Sequence, residues 1–113
     1  MQNHLPIYEL YAIRYAMRDA NRSEHFIGGD PHDSPMPMDY FVWLARCGDH
    51  NVLIDTGFTE VVAARRGRQF LHCPIDTLAA LGVAADTVQD IILTHLHYDH
   101  SGNFDRFANA SFH

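Results

Sequence analysis

The sequence predicts an α+β domain, a mixed sheet with helices on one face, and three observations carry that reading. Tyr40 to Ala45 is an unbroken β-rich run, Gly48-Asp49-His50 supplies a turn, and Val52 to Ile54 returns: a β-hairpin buried on at least one face. Helical signals between residues 58 and 82 then lead to a further apolar strand, Ile91 to Leu93, so the chain crosses over before it re-enters the sheet. Composition agrees, since 113 residues with 47% apolar and 19% charged side chains are ordinary for one globular domain. A chain of this length buries roughly 60–70% of its unfolded surface, enough for a core but not a generous one.

Each element has its own signal. Leu5 to Tyr15 mixes Ile, Tyr and Leu with single polar residues and reads as a first strand. Arg18 to Pro37 collects two adjacent glycines, three prolines and several short polar residues, which predicts a long loop; loops of about twenty residues in compact domains are usually functional or mobile. After the hairpin, Asp55-Thr56-Gly57 marks the exit from the sheet, and Phe58 to Arg66 reads as a short helix before an arginine-rich turn. Pro74 suits the first turn of a second helix, Asp76 favours its positive end, and Gly82 is its expected C′ residue. Asp86 and Gln89 have capping-box spacing and predict a helical turn before Ile91. Asn103 to Phe107 reads as another helical turn, and Ala110 to His113 as the start of a strand.

The charge balance narrows the function. Eight basic residues, all arginine, stand against 14 acidic ones, for a net charge of −6, so the overall field repels polyanions and nucleic acid is not an expected partner. Arg65, Arg66 and Arg68 read as a helix C-terminus favoured by its dipole rather than as an RNA contact. Two cysteines, Cys47 and Cys73, exclude a disulfide scaffold, and His72 beside Cys73 has nothing near it in sequence to complete a metal set. The opening residues lack the basic-then-apolar pattern of a secretory signal, and no run of eighteen apolar residues occurs, so a cytoplasmic protein without a membrane partner is expected.

Nine histidines are the anomaly of the composition. Four of them, His4, His25, His32 and His50, fall in terminal, loop or turn positions where solvation is the default. Three others stand together in Thr94-His95-Leu96-His97-Tyr98-Asp99-His100-Ser101-Gly102-Asn103, directly after the apolar strand, where a sheet can hold a loop rigidly. With nine His and eleven Asp in 113 positions, His-x-His-x-Asp-His arises by chance in roughly half a per cent of such chains. His95 and His97, two apart in extended backbone, project to one side and suit one cation, while Asp99 and His100 suit a second. The absence of thiolate speaks against a structural zinc site, and an open coordination position lowers the pKa of bound water from 15.7 towards about 7, giving hydroxide as a nucleophile.

These residues resemble a family. His95-x-His97-x-Asp99-His100 after an apolar strand, with Asp55-Thr56-Gly57 about forty residues earlier, resembles the metallo-β-lactamase superfamily. Leu53-Ile54-Asp55-Thr56-Gly57, the histidine loop and the following Phe-x-x-Phe-x-Asn-Ala are most similar to its N-acyl homoserine lactonase-like hydrolases. The resemblance implies the first half of an αβ/βα sandwich, with residues 1–113 the N-terminal part of a single domain. It implies two divalent metals, zinc first, with iron, manganese or cobalt as alternatives: His95 and His97 on one, Asp99 and His100 on the other. Asp99 would also pass a proton to the leaving alkoxide, and Asp55 would brace the loop by hydrogen bonds. In the family a third histidine, a bridging aspartate and a further histidine come later than position 113, and His113 does not occupy the third-ligand position.

The expected activity is therefore hydrolysis of an acyl homoserine lactone-like substrate, with thioester hydrolysis of the glyoxalase type as the nearest alternative. A reading of another class is a catalytically incomplete metal-binding or interaction module. Either a homodimer or a complementing C-terminal segment would supply the missing ligands. By the same resemblance Phe26, Ile27 and Met36 border the substrate entrance, whereas Tyr40, Trp43 and Leu44 read as core.

Overall fold

The computed structural model describes residues 5–113; His4 lies outside the described residues. Six strands form one mixed sheet in the order β4-β1-β2-β3-β5-β6. They are β1 (Glu9–Arg18), β2 (Met38–Cys47), β3 (His50–Ile54), β4 (Gln69–Phe70), β5 (Asp90–Ile92) and β6 (Ser111–Phe112), with helices α1 (Glu60–Arg66) and α2 (Pro74–Ala80) between β3 and β5. β2 runs antiparallel to both β1 and β3, whereas β5 is parallel to β3 and β6 to β5, so the predicted hairpin and the predicted crossover are both present.

The sheet's two faces differ by the strand period of two. Ile13, Tyr15, Val42, Leu44, Leu53 and Ile91 point to the face covered by Ala63 of α1 and by Ile75 and Leu78 of α2, and they form the core together with Phe58, Val83, Val88 and Phe107. The alternate residues Phe41, Trp43, Val52 and Ile54 are only half-buried, and Leu10 and Ile92 are exposed. Trp43, expected in the core with Tyr40 and Leu44, is thus on the opposite face, stacked on Phe41 at 6.1 Å between ring centroids.

The local signals act as their chemistry dictates at most element ends. Thr59 caps α1, its hydroxyl accepting from the Val62 N–H, and Gly67 ends it in the left-handed region at φ +68. Pro74 opens α2, and Gly82, at φ +82, follows its C-cap residue Leu81. Differences occur where pairing outweighs sequence-local preference. β1 starts and ends later than expected because β2 pairs with it as far as Arg18. The arginine-rich turn continues into β4, whose two residues pair with Ala16 and Met17. No capping box forms at Asp86 and Gln89: Ala84 holds the cap position of a 3-10 turn, Ala85–Thr87, and the Thr87 hydroxyl donates to its carbonyl at 2.7 Å. Gln89 instead pairs through Oε1 with Nδ1 of His50 at 2.6 Å, so His50 is engaged by the sheet rather than simply solvated. Cys47 and Cys73 are free. Among the described residues no helix is long and apolar enough to cross a membrane.

Candidate metal centre

Parallel pairing of Leu53 with Ile91 and Ile54 with Ile92 sets the carboxyl ends of β3 and β5 next to each other, and their following loops leave side by side. Carboxyl ends of parallel strands are where open α/β sheets place ligands, because two loops diverge there from rigid supports. The loops are tied together along their length. The Asp55 N–H donates to Ile92 O at 2.8 Å, that of Thr56 to His100 O at 2.9 Å, and that of Gly102 to Gly57 O at 2.8 Å. The buried Asn103 side chain donates to Thr56 O at 3.0 Å. Contact is so close at Gly102 that a Cβ there would collide with the Gly57 carbonyl and the Phe58 Cα. This is why Asp-Thr-Gly and Ser-Gly-Asn, forty-odd residues apart, are small and polar.

Asp55 is the hub of the arrangement. It is fully buried and sits at φ +64, a conformation that Asp tolerates better than most residues. Its carboxylate accepts the Thr94 N–H at 2.8 Å, the Thr94 hydroxyl at 2.9–3.0 Å, and Nδ1 of His100 at 2.7 Å. These bonds assign the tautomers of two histidines. With its Nδ1–H donated to Asp55, His100 keeps its lone pair on Nε2. The Thr94 hydroxyl, its proton committed to Asp55, can only accept from Nδ1–H of His95 at 3.0 Å, which leaves the His95 lone pair on Nε2 as well. Thr94 is a residue that sequence reasoning missed; its position next to His95 was the only available signal.

Three potential ligands then come together. His100 Nε2 lies 3.2 Å from Asp99 Oδ2, and His95, Asp99 and His100 each offer a ligand atom within 4.8 Å of the others. Two acceptors facing each other at that distance repel unless a cation or a proton joins them, so the donor set fits a divalent metal. The His97 ring stands edge-on to that of His95 with centroids 4.6 Å apart, beside this group rather than within it, and the rings of His95 and His100 are 3.9 Å apart. The His113 ring is engaged elsewhere, its Nε2 pairing with Asp90 at 3.0 Å at the start of β5.

The loop is also held from beneath. A register shift in β1 between Arg14 and Ala16 makes Tyr15 the extra residue of a bulge, and bulges re-aim side chains. The fully buried Tyr15 ring packs on Phe58 at 5.0 Å, and its hydroxyl donates to the Asp99 carbonyl at 3.0 Å. Burial, and then the Asp99 charge, push its phenol far above the ordinary range, so it remains a donor. Gly57, at φ +72, leaves the space that the Tyr15 ring fills. Tyr15 was legible only as a strand residue, because the bulge arises from pairing with β2.

Beside the loop, Leu93, Leu96, Ser101, Phe104 and Phe112 line an open apolar cavity of about 420 Å³. Phe26, Ile27 and Met36, expected at a substrate entrance, are exposed, with Met36 O bonded to the His25 ring at 2.9 Å.

The model of the metallo-beta-lactamase superfamily matches residues 36–113, a stretch that contains both loops, and the chain belongs to this superfamily. The N-acyl homoserine lactonase AttM of Rhizobium radiobacter is 28% identical over 95 residues, covering 74% of this chain and 36% of that protein. Among solved structures, a quorum-quenching N-acyl homoserine lactone lactonase superimposes with a TM-score of 0.76 at 20% identity, covering 98% of this chain and 46% of that one. AidC, a dizinc quorum-quenching lactonase, matches with a TM-score of 0.66 at 20% identity over 99% of this chain and 43% of its own. The chain thus spans less than half the length of these relatives, and the fold expected from the sequence is the one found.

Proposed function

We propose that this chain carries the first part of the active site of a metal-dependent hydrolase that opens lactone rings, with an N-acyl homoserine lactone as substrate. The observation that carries the reading is that His95, Asp99 and His100 each bring a ligand atom within 4.8 Å of the others in the loop after β5. The lactonases among its relatives support the choice of substrate. On this reading His95 and His97 hold one divalent cation and Asp99 and His100 a second, zinc in the first instance, with ligands from outside residues 1–113 completing both. Bound there, the cations supply Lewis acidity, which activates water and polarises the ester carbonyl.

The chain's own groups do the rest. Asp55 and Thr94 orient the two imidazoles, so no reorganisation accompanies catalysis. Tyr15 fixes the backbone of Asp99, and on this reading the Asp99 carboxylate takes a proton from the water as its oxygen adds to the carbonyl carbon and passes that proton to the ring oxygen as the acyl C–O bond breaks. The test is ring opening of N-hexanoyl homoserine lactone by the full-length protein, with and without chelator. Turnover should vanish on metal removal, return with zinc, and fall at least 100-fold in Asp99→Asn. Undiminished turnover and metal content in His97→Ala or Asp99→Ala would overturn the assignment.

A further inference from the structure

The arginine-rich turn after α1, which neither nucleic-acid binding nor the metal ligands account for, closes on the metal loop through Tyr98. Tyr98 lies between His97 and Asp99, and its side chain points away from the donors. The Arg66 guanidinium stacks over its ring at 3.7 Å. Arg68 donates from Nε–H to its hydroxyl oxygen at 3.0 Å, and the Tyr40 hydroxyl lies 3.3 Å from the same oxygen. Phe58 packs on the ring at 5.6 Å between centroids. The turn itself is braced, since Arg68 also donates to the Arg66 carbonyl at 3.0 Å. Gly67 makes this grip possible: at φ +68 it reverses the chain, so the arginines on either side of it reach the ring face and the phenol edge of one tyrosine.

A guanidinium on an aromatic face and a charge-assisted hydrogen bond are each stronger than neutral contacts, and here both act on one side chain of a loop that must hold its ligands still. Resting on the metal-centre reading above, we infer that Arg66-Gly67-Arg68 is a positioning clamp. Through Tyr98 it orders residues 97–99 before metal arrives, so that binding does not have to order them, and it thereby sets the affinity of the centre. Arg66, Arg68 and Tyr98 are positioning residues; none is a ligand.

The experiment measures Co²⁺ and Zn²⁺ affinity of the full-length protein by chelator competition, together with the visible spectrum of the cobalt form. Tyr98→Phe keeps the ring and the Arg66 stack but removes the Arg68 bond. It should weaken metal binding about tenfold and alter the cobalt absorption, as loss of an outer partner does. Arg68→Ala should do the same, the double variant no more than either alone, and Arg68→Lys should recover part of the loss because an ammonium also donates to the phenol. Leu78→Ala, which loosens the core away from the loop, should lower the thermal midpoint and leave metal affinity unchanged. Wild-type affinity and spectrum in Tyr98→Phe and Arg68→Ala would overturn the clamp while leaving the metal centre intact. Failure of the unaltered protein to bind either metal would remove the centre and the clamp together.

Discussion

Asp55 shows how much a single residue can organise. It has no route to solvent, yet it satisfies one backbone N–H, one hydroxyl and one imidazole, and through Thr94 it governs a second imidazole. Asp55→Asn keeps the volume and the tolerance of positive φ but replaces half the carboxylate with a donor that faces donors. Metal affinity should fall between about tenfold and 100-fold, with a stability loss of about 1–3 kcal/mol, readable by chelator competition and by urea unfolding. An unchanged metal affinity would show that the histidines do not depend on Asp55 for their tautomers. The histidine loop as a metal site was legible from residue types and spacing, and Asp55 as its brace from the family resemblance; spacing paired His95 with His97 and Asp99 with His100, whereas the folded loop gathers His95, Asp99 and His100. Thr94 and Tyr15 were not legible, because a threonine beside a histidine and a tyrosine in a strand are common, and their roles exist only once two distant segments meet.

At the scale of elements, short-range chemistry was legible wherever one residue controls one end. Pro74 and Gly82 did what their backbone preferences require, and the hairpin formed where a turn separates two β-rich runs. β4 was not legible, since two residues carry no periodicity and pair only because β1 offers an edge. The Asp86/Gln89 spacing pointed to a helical turn that does form, over Ala85–Thr87, but not to its cap, because Gln89 is drawn to His50 across the sheet. The seam between the loops after β3 and β5 makes the sharpest element-level prediction. Gly102→Ala should force apart the Gly57 and Gly102 backbones, at a cost of about 1–3 kcal/mol, and speed hydrogen exchange at the Thr56 and Gly102 amides before those of β2. Equal protection at all these sites would mean that the loops do not depend on the seam.

For the whole molecule, the two-sidedness of the sheet is the dominant fact. One face is closed by α1 and α2, and the other leaves Leu10 and Ile92 exposed and Trp43 half-buried in an apolar row. An environment-sensitive apolar dye should therefore bind the 113-residue chain. The pair Leu10→Lys and Ile92→Lys should suppress that binding while shifting stability by no more than about 0.5 kcal/mol each, as surface changes do. Dye binding unaffected by the pair would place the apolar surface elsewhere. Strand and helix order, the hairpin and the identity of the histidine loop follow from residue chemistry read along the chain, because propensity, turn residues and ligand spacing are local properties. Which side of the sheet is core, the bulge that sends Tyr15 to Asp99, the hub at Asp55 and the arginine grip on Tyr98 follow from pairing between segments 24 to 84 residues apart. Such contacts depend on register and close approach in space, neither of which any stretch of sequence contains by itself.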